Sequence, residues 1–208
     1  MGKKIAIIGA GGHGKVVADI AKLNGYEEIL FLDDDTSKKQ NGLYPVTGKV
    51  SDYKKYKNQY DFFVAIGNNE IRKKISEELL NDDIRLINLI HPSAILDTTL
   101  KLADGIVIMA NAVVNTDTNL ARGVIVNTGA TVDHDCNIGS YTHICPGVHI
   151  AGSVEIGSNV WIGIGASVIN RIRICNDVTV GAGAIVIRDL VEHGTYIGIP
   201  ARRIGGDQ

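Results

Sequence analysis

Every sixth residue from Ile90 to Val186 is isoleucine, leucine or valine. The series runs Ile90, Leu96, Leu102, Ile108, Val114, Leu120, Val126, Val132, Ile138, Ile144, Ile150, Ile156, Ile162, Val168, Ile174, Val180 and Val186. About three in ten residues of the chain are of these types, so the run has a chance probability of about one in a billion before allowing for the choice of phase. A period of six matches neither the 3.6 of a helix nor the alternation of a plain strand. It fits a short strand with alternate side chains pointing inward, followed by a corner that glycine and asparagine tolerate.

Two positions before every aliphatic from Leu96 onward stands a second small or apolar residue, as at Ala94, Ala112, Val124, Ala130, Cys136, Val148, Val160 and Ala166. Three hexads make a coil of about eighteen residues, and stacking the coils at about 4.8 Å gives a parallel β-helix roughly 27 Å long with an aliphatic core. No hexad carries an insertion. Whatever covers a ligand on such a prism has to come from a neighbouring domain or chain.

The first part of the chain has a different rhythm. "KKIAIIGAGGHGKVVADIAKLNGYEEILFLDDD" reads as strand, Gly-rich turn, helix, strand, with Val16, Val17, Ile20 and Leu23 on one helical face and Asn24-Gly25 as the stop. Gly9, Gly11 and Gly14 satisfy G-x-G-x-x-G, and Asp33 follows at the spacing of a dinucleotide site. "DFFVAIGNNEIRKKISEELL" adds only one more strand and helix, so a half-size nucleotide-binding domain is expected, while residues 36–60 read as a polar loop with a short helix. The expected division is an α/β Rossmann-like domain over 1–85 and the β-helix over 86–208. At the turn, the amides of Gly11 and Gly12 and the helix dipole favour a phosphate, with His13 as a further donor. Asp33 and Asp34, at the end of the second strand, are placed to accept from a ribose or base.

Composition removes several classes. A formal charge of −2 from 21 basic and 23 acidic residues, scattered along the chain, gives no field for capturing nucleic acid or an anionic membrane. No apolar run approaches the roughly 20 residues of a membrane span, and the N-terminus does not fit a signal peptide. Cys136, Cys145 and Cys175 lack zinc-ligand spacing and an even count, as buried thiols in a reducing compartment do. A soluble, cytoplasmic protein is expected.

One stretch interrupts the repeat with ionisable groups: "VDHDCNIGSYTHI", residues 132–144. His134 and Asp135 fall just after Val132, at a corner where side chains leave the core and are available to a ligand. An imidazole titrates near neutrality and can take a proton from an attacking nucleophile; a neighbouring carboxylate fixes its tautomer and stabilises the imidazolium. Asp133 competes with Asp135 for that role. His143, just before Ile144, is expected to point outward from a flat face, whereas His149 and His91 are expected to be structural.

"IGSNVWIGIGASVI" and the tail "YIGIPARRI" resemble the hexapeptide-repeat acyltransferases, whose β-helix is left-handed; the handedness is taken from that resemblance alone. Together with "GAGGHG", "FLDDD", "FFVAIGNNEIRKKI", "NLIHPSA" and "VDHDCNIGSYTHI", they make nearly the whole chain similar to the nucleotide-sugar acetyltransferases of the UDP-N-acetylbacillosamine N-acetyltransferase type, with the sialic-acid O-acetyltransferases as relatives. The resemblance implies acetyl-CoA as co-substrate, no metal, a UDP-linked 4-amino sugar as acceptor and a homotrimer with sites between chains. It makes His134 the general base and Asp135, where the family typically has glutamate, its partner. His143 is placed at the thioester, and Gly152, Ile164 and Ala182 along pantetheine. Gly67 falls in a second nucleotide-facing loop, and Asn127 near substrate or the His134 corner. Arg202 and Arg203 either meet the CoA phosphates or form a solvated end. A GDP-amino sugar such as perosamine and a sialic-acid hydroxyl are the alternative acceptors. Two other classes are a zinc hydratase of the gamma carbonic anhydrase type and a non-enzymatic nucleotide-binding scaffold.

Overall fold

The computed structural model describes residues 2–205. They form two compact units that divide between Pro92 and Ser93, later than the boundary expected after residue 85. The intervening residues belong to the first unit because Leu86 bridges to Phe62 and the Asn24 side chain both donates to and accepts from the backbone of Ile90.

In the first unit, β1 (Lys3–Ile8), α1 (Gly12–Leu23), β2 (Tyr26–Leu32), β3 (Gln40–Asn41), β4 (Tyr44–Gly48), a 3-10 helix (Val50–Lys55), β5 (Asp61–Val64) and α2 (Asn69–Asn81) follow in order. The sheet order is β3-β4-β2-β1-β5, parallel except for the β3/β4 pair. Central β1 buries Ile5, Ala6, Ile7 and Ile8 consecutively, the continuous apolar run of a strand covered on both faces. Residues 36–60 contain the short helix expected of them and, in addition, strand structure. They hold a small hairpin and a 3-10 helix, whose first amide, Val50 N–H, donates to Asp34 Oδ1 at 3.0 Å.

The buried face of α1 also differs from its expected stripe. Gly14, Val17, Ala18, Ile20 and Ala21 are buried, whereas Val16 and Leu23 are exposed. Close approach explains this, since a Cβ on Gly14 would lie 2.2 Å from the Gly9 carbonyl oxygen. The helix N-terminus meets the turn through Gly14, and Val16 and Leu23 fall outside the face that buries Val17 and Ile20.

The second unit is the expected parallel β-helix, built from two-residue strands on three faces. One face stacks Thr131–Val132 on Val113–Val114 and His149–Ile150; the next stacks Asn137–Ile138 on Asn119–Leu120 and Glu155–Ile156; the third stacks His143–Ile144 on Ile125–Val126 and Trp161–Ile162. Every hexad aliphatic from Ile108 to Val186 is buried. Between Gly105 and Gly183 one residue in every six has φ of 55° to 74°. That left-handed region is costly for most side chains; glycine, asparagine and aspartate fill all of these corners except Tyr141, Ser153 and Arg171. Gly194–Ile197 continues one face by pairing with Val178–Val180, and Arg202–Ile204 folds back antiparallel on it. No helix among the described residues is long and apolar enough to cross a membrane.

Stacking leaves no room at the glycines that follow the core aliphatics. A Cβ on Gly139 would lie 2.4 Å from the Gly157 carbonyl carbon in the next coil. Gly139→Ala is expected to destabilise the protein by about 1–3 kcal/mol, the usual cost of overpacking, read as a lower denaturation midpoint in urea. An unchanged midpoint would mean that the coils separate more readily than this stacking implies.

Candidate active site

His134 stands on a corner that three coils hold in place. Its ring Nδ1 lies 2.7 Å from Asp135 Oδ2. Asp135 is itself the left-handed corner residue, with φ of 58°, and this turn brings the short aspartate side chain directly onto the imidazole. Asp133, the competing carboxylate, serves the backbone instead. Its Oδ1 accepts from His134 N–H at 2.9 Å and from Asn115 Nδ2 at 2.9 Å. Buried Thr118 donates its hydroxyl to the Asp133 carbonyl and accepts from Cys136 N–H, and Asp135 N–H donates to the Thr116 carbonyl. Below, a Cβ on Gly152 would fall 2.6 Å from His134 Nε2, so the bare glycine is the seat of the ring. Thr118 and Asn115 are not singled out by the sequence. Their signal lies in the period itself, since both stand within one coil of the ionisable stretch.

The electrostatics follow from this arrangement. The hydrogen bond to Asp135 raises the His134 pKa above its ordinary value; desolvation opposes it, and the charges of Asp133 and Asp135 add to the rise. The imidazole is about half exposed. Hydrogen bonds from Asn115 and His134 N–H hold the Asp133 carboxyl below the usual range, so it stays charged beside the ring. Burial pushes the Cys136 and Cys145 thiols up, Cys145 to about 12, which makes them poor nucleophiles.

His143 departs from its expected surface position. It leaves the core side of its strand but is only 4% exposed, with its ring 4.5 Å from that of Trp161 and Nε2 3.0 Å from Asn127 Nδ2. Asn127 Oδ1 accepts from Thr128 N–H at 2.8 Å. This fixes the amide, so Nδ2 donates to His143 Nε2 and leaves the proton on Nδ1. The partner of Asn127 within the chain is therefore His143 rather than the His134 corner. Asn127, Ile164 and Ala182 follow the His143 face, whereas His134 and Gly152 follow the Thr131 face. Within one chain the two corners are separated by a strand face of at most about 20 Å.

In the first unit, the sequence-selected residues gather at the carboxyl ends of β1, β2 and β5. The chain reverses direction across the sheet between β1 and β5, the usual position of a ligand crevice in open α/β sheets. Gly11 and Gly12 border open space. Asp33 holds the turn together: Oδ2 accepts from Ala10 N–H at 2.6 Å and Oδ1 from Asp35 N–H at 2.9 Å, with Lys38 Nζ at 3.2 Å from Oδ2. Burial pushes the Asp33 carboxyl up, but those amides and the Lys38 ammonium together pull it below its ordinary value. Asp33 and Asp34 thus brace their own loops, and a cavity of about 250 Å³ lined by Asp33, Thr36, Lys38, Thr47 and Lys49 opens beside them. Burial and the nearby Arg72 charge push His13 down to about 4, so it is neutral near pH 7. Gly67 lies on the loop after β5, where its carbonyl accepts from Arg72 at 3.0 Å.

Two other features lie apart from these groups. A concavity of about 530 Å³ lines the face bearing Lys101, Asn119 and Asn137, and His134 is not among its lining residues. Arg203, considered for CoA phosphates, pairs with Glu192 at 2.8 Å and donates to the His193 carbonyl, while Arg202 donates to the Ala201 carbonyl. Among the described residues no cluster of three or more histidine, cysteine, aspartate or glutamate side chains could hold a metal ion.

Known proteins share this architecture. The PglD N-terminal domain family matches residues 4–79. The acetyltransferase domain of PglB from Neisseria gonorrhoeae FA1090 superposes with a TM-score of 0.94 at 42% identity, covering 97% of this chain and 100% of that one; it has also been solved with acetyl coenzyme A. PerB from Caulobacter crescentus, solved with CoA and GDP-perosamine, gives a TM-score of 0.93 at 36% identity over 99% of this chain and 98% of that one. UDP-N-acetylbacillosamine N-acetyltransferase from Bacillus subtilis (strain 168) is 36% identical over 112 residues, 52% of this chain and 52% of that protein. The shared stretch thus spans about half the length of that curated relative. With a Gly-rich α/β unit, an unbroken hexad prism and near-complete coverage of two solved relatives, the chain belongs to the hexapeptide-repeat nucleotide-sugar acetyltransferase family.

Proposed function

We propose that the protein transfers the acetyl group of acetyl-CoA to the amino group of a nucleotide-linked amino sugar. The observation that carries this reading is the 2.7 Å contact between His134 Nδ1 and Asp135 Oδ2, on a corner whose backbone neighbouring coils immobilise. With Nδ1–H donated in a hydrogen bond to the Asp135 carboxylate, the neutral imidazole presents a basic Nε2. It takes a proton from the amine as nitrogen attacks the thioester carbonyl. The tetrahedral adduct then collapses with loss of the C–S bond, and the imidazolium returns its proton to the departing thiolate. This chemistry needs no acyl-enzyme and no metal. His143, proton on Nδ1 and Nε2 held by Asn127, is the candidate donor toward the thioester.

The preferred acceptor is a UDP-linked 4-amino-4,6-dideoxy sugar, supported by the likeness to the Bacillus enzyme; GDP-perosamine, bound by PerB, is the alternative. The Gly-rich turn, His13 and the Gly67 loop take the nucleotide. Ile164 and Ala182 line the acyl-donor groove, and a homotrimer supplies the corner that a single chain sets one face away from His134. Free Cys136, Cys145 and Cys175 suit a cytoplasmic setting.

Incubation with acetyl-CoA and a panel of UDP-amino sugars, GDP-amino sugars and sialic acid, with thiol release as readout, tests the reading; no turnover on any acceptor would end it. His134→Ala is expected to lower kcat by at least about a hundredfold, the usual share of a general base. Asp135→Asn should cost less.

The pH profile carries a sign. The base must be neutral, so activity falls as pH drops through the His134 pKa, and the rise moves that acid limb to higher pH than an unperturbed histidine would give. Asp135→Asn removes the largest cause of the rise and should move the limb to lower pH. An identical limb in wild type and Asp135→Asn would show that another group titrates there.

A further inference from the structure

Helix α2 buries the wrong residues for an ordinary amphipathic helix. Its buried stripe is Asn69, Arg72, Ser76 and Leu79, while Ile71 is 50% exposed. Arg72 is 1% exposed. Leu79 and Ile75 still pack on the core, but burying a guanidinium while leaving Ile71 in solvent costs stability twice over, so Arg72 calls for an account beyond hydrophobic burial. The Arg72 fork reaches back over the helix N-terminus. Nη1 donates to the carbonyls of Ile66 and Gly67, each at 3.0 Å, and Nη2 donates to Asn69 Oδ1 at 2.9 Å.

In a trans peptide the N–H points opposite to the preceding C=O. Drawing the Ile66 and Gly67 carbonyls toward Arg72 therefore turns the amides of Gly67 and Asn68 away from it. This loop lies against the Gly-rich turn, since Ala65 N–H donates to the Ile8 carbonyl and a Cβ on Gly9 would strike Ile66 and the Ala65 carbonyl at 2.8 and 2.9 Å. We infer that Arg72 is a positioning residue for the nucleotide's diphosphate, orienting the amides of the loop after β5 beside those of the Gly-rich turn and adding a buried positive charge beneath both. The inference rests on the nucleotide-binding role proposed above. His13 lies within the field of the same cation, which helps to keep it neutral and so a single N–H donor.

The test measures UDP and GDP binding by calorimetry, and acetyl-transfer kinetics, for wild type, Arg72→Lys and Arg72→Gln. Arg72→Gln is expected to weaken nucleotide binding and raise the nucleotide-sugar KM by about tenfold or more, with kcat and the acetyl-CoA KM within about twofold. Arg72→Lys, which keeps the charge but loses the fork, should fall between. If wild type binds neither nucleotide, the nucleotide-binding role fails and this inference with it. If wild type binds and the folded variants bind equally well, Arg72 is structural only and the inference alone is overturned. Should the variants not fold, NMR of wild-type protein titrated with UDP decides. Shifts at the Gly67 and Asn68 amides and the Arg72 guanidinium support the role, and their absence overturns it.

Discussion

The prism depends on one backbone constraint: a residue in the left-handed region at every sixth position, paired with an aliphatic that stacks on its counterpart in the next coil. Each short strand ends at such a corner, so side chains there leave the core without uncovering it. Asp135 occupies one of these corners, with φ of 58°. An aspartate tolerates that conformation better than most residues, and the turn that the solenoid requires also delivers its carboxylate to the ring before it. The repeat thus supplies the geometry of the His134–Asp135 pair at little extra cost in strain.

Rigidity at the site has the same source. A single corner on a loop would leave His134 mobile, but here the coil above contributes Asn115 and Thr118 and the coil below contributes Gly152. Thr118 is fully buried and uses its hydroxyl both as donor and as acceptor, so its burial leaves no polar penalty. Asp133, adjacent in sequence, goes to the backbone of the corner. The two carboxylates flanking one histidine therefore act differently: Asp133 bonds to the main chain and Asp135 bonds directly to the imidazole, while the charges of both favour the imidazolium.

Much of this is legible in the chain. The six-residue period identifies every buried hexad aliphatic from Ile108 to Val186 and places His134 at a corner, because periodicity reports directly which side chains face a common axis. What periodicity does not report is what covers an outward side chain. His143, expected on an open surface, is instead buried beside Trp161. Asp33 and Asp34, read from the sequence only as acceptors for a ribose or base, also brace Ala10 and Val50, since an amide distant in sequence leaves no local mark beside the carboxylate it meets. The stripe of α1 fails at Val16 and Leu23 because the buried face includes Gly14, which has no room for a Cβ, and the small Ala18 and Ala21, residues that a search for large aliphatics passes over. Arg72 escapes a sequence reading for the opposite reason: its cue is not a hydrophobic position but the spacing of Asn69, Arg72, Ser76 and Leu79, visible only once apolar Ile71 is seen to face solvent.

The central claim is that the imidazole on this corner meets the thioester. A crystal structure of the protein with coenzyme A tests it most directly. The expected result is the thiol sulfur beside His134, close enough for Nε2 to reach the acyl carbon's nucleophile directly or through one water. A sulfur lodged at another corner of the prism, away from His134 of every chain in the assembly, would contradict it.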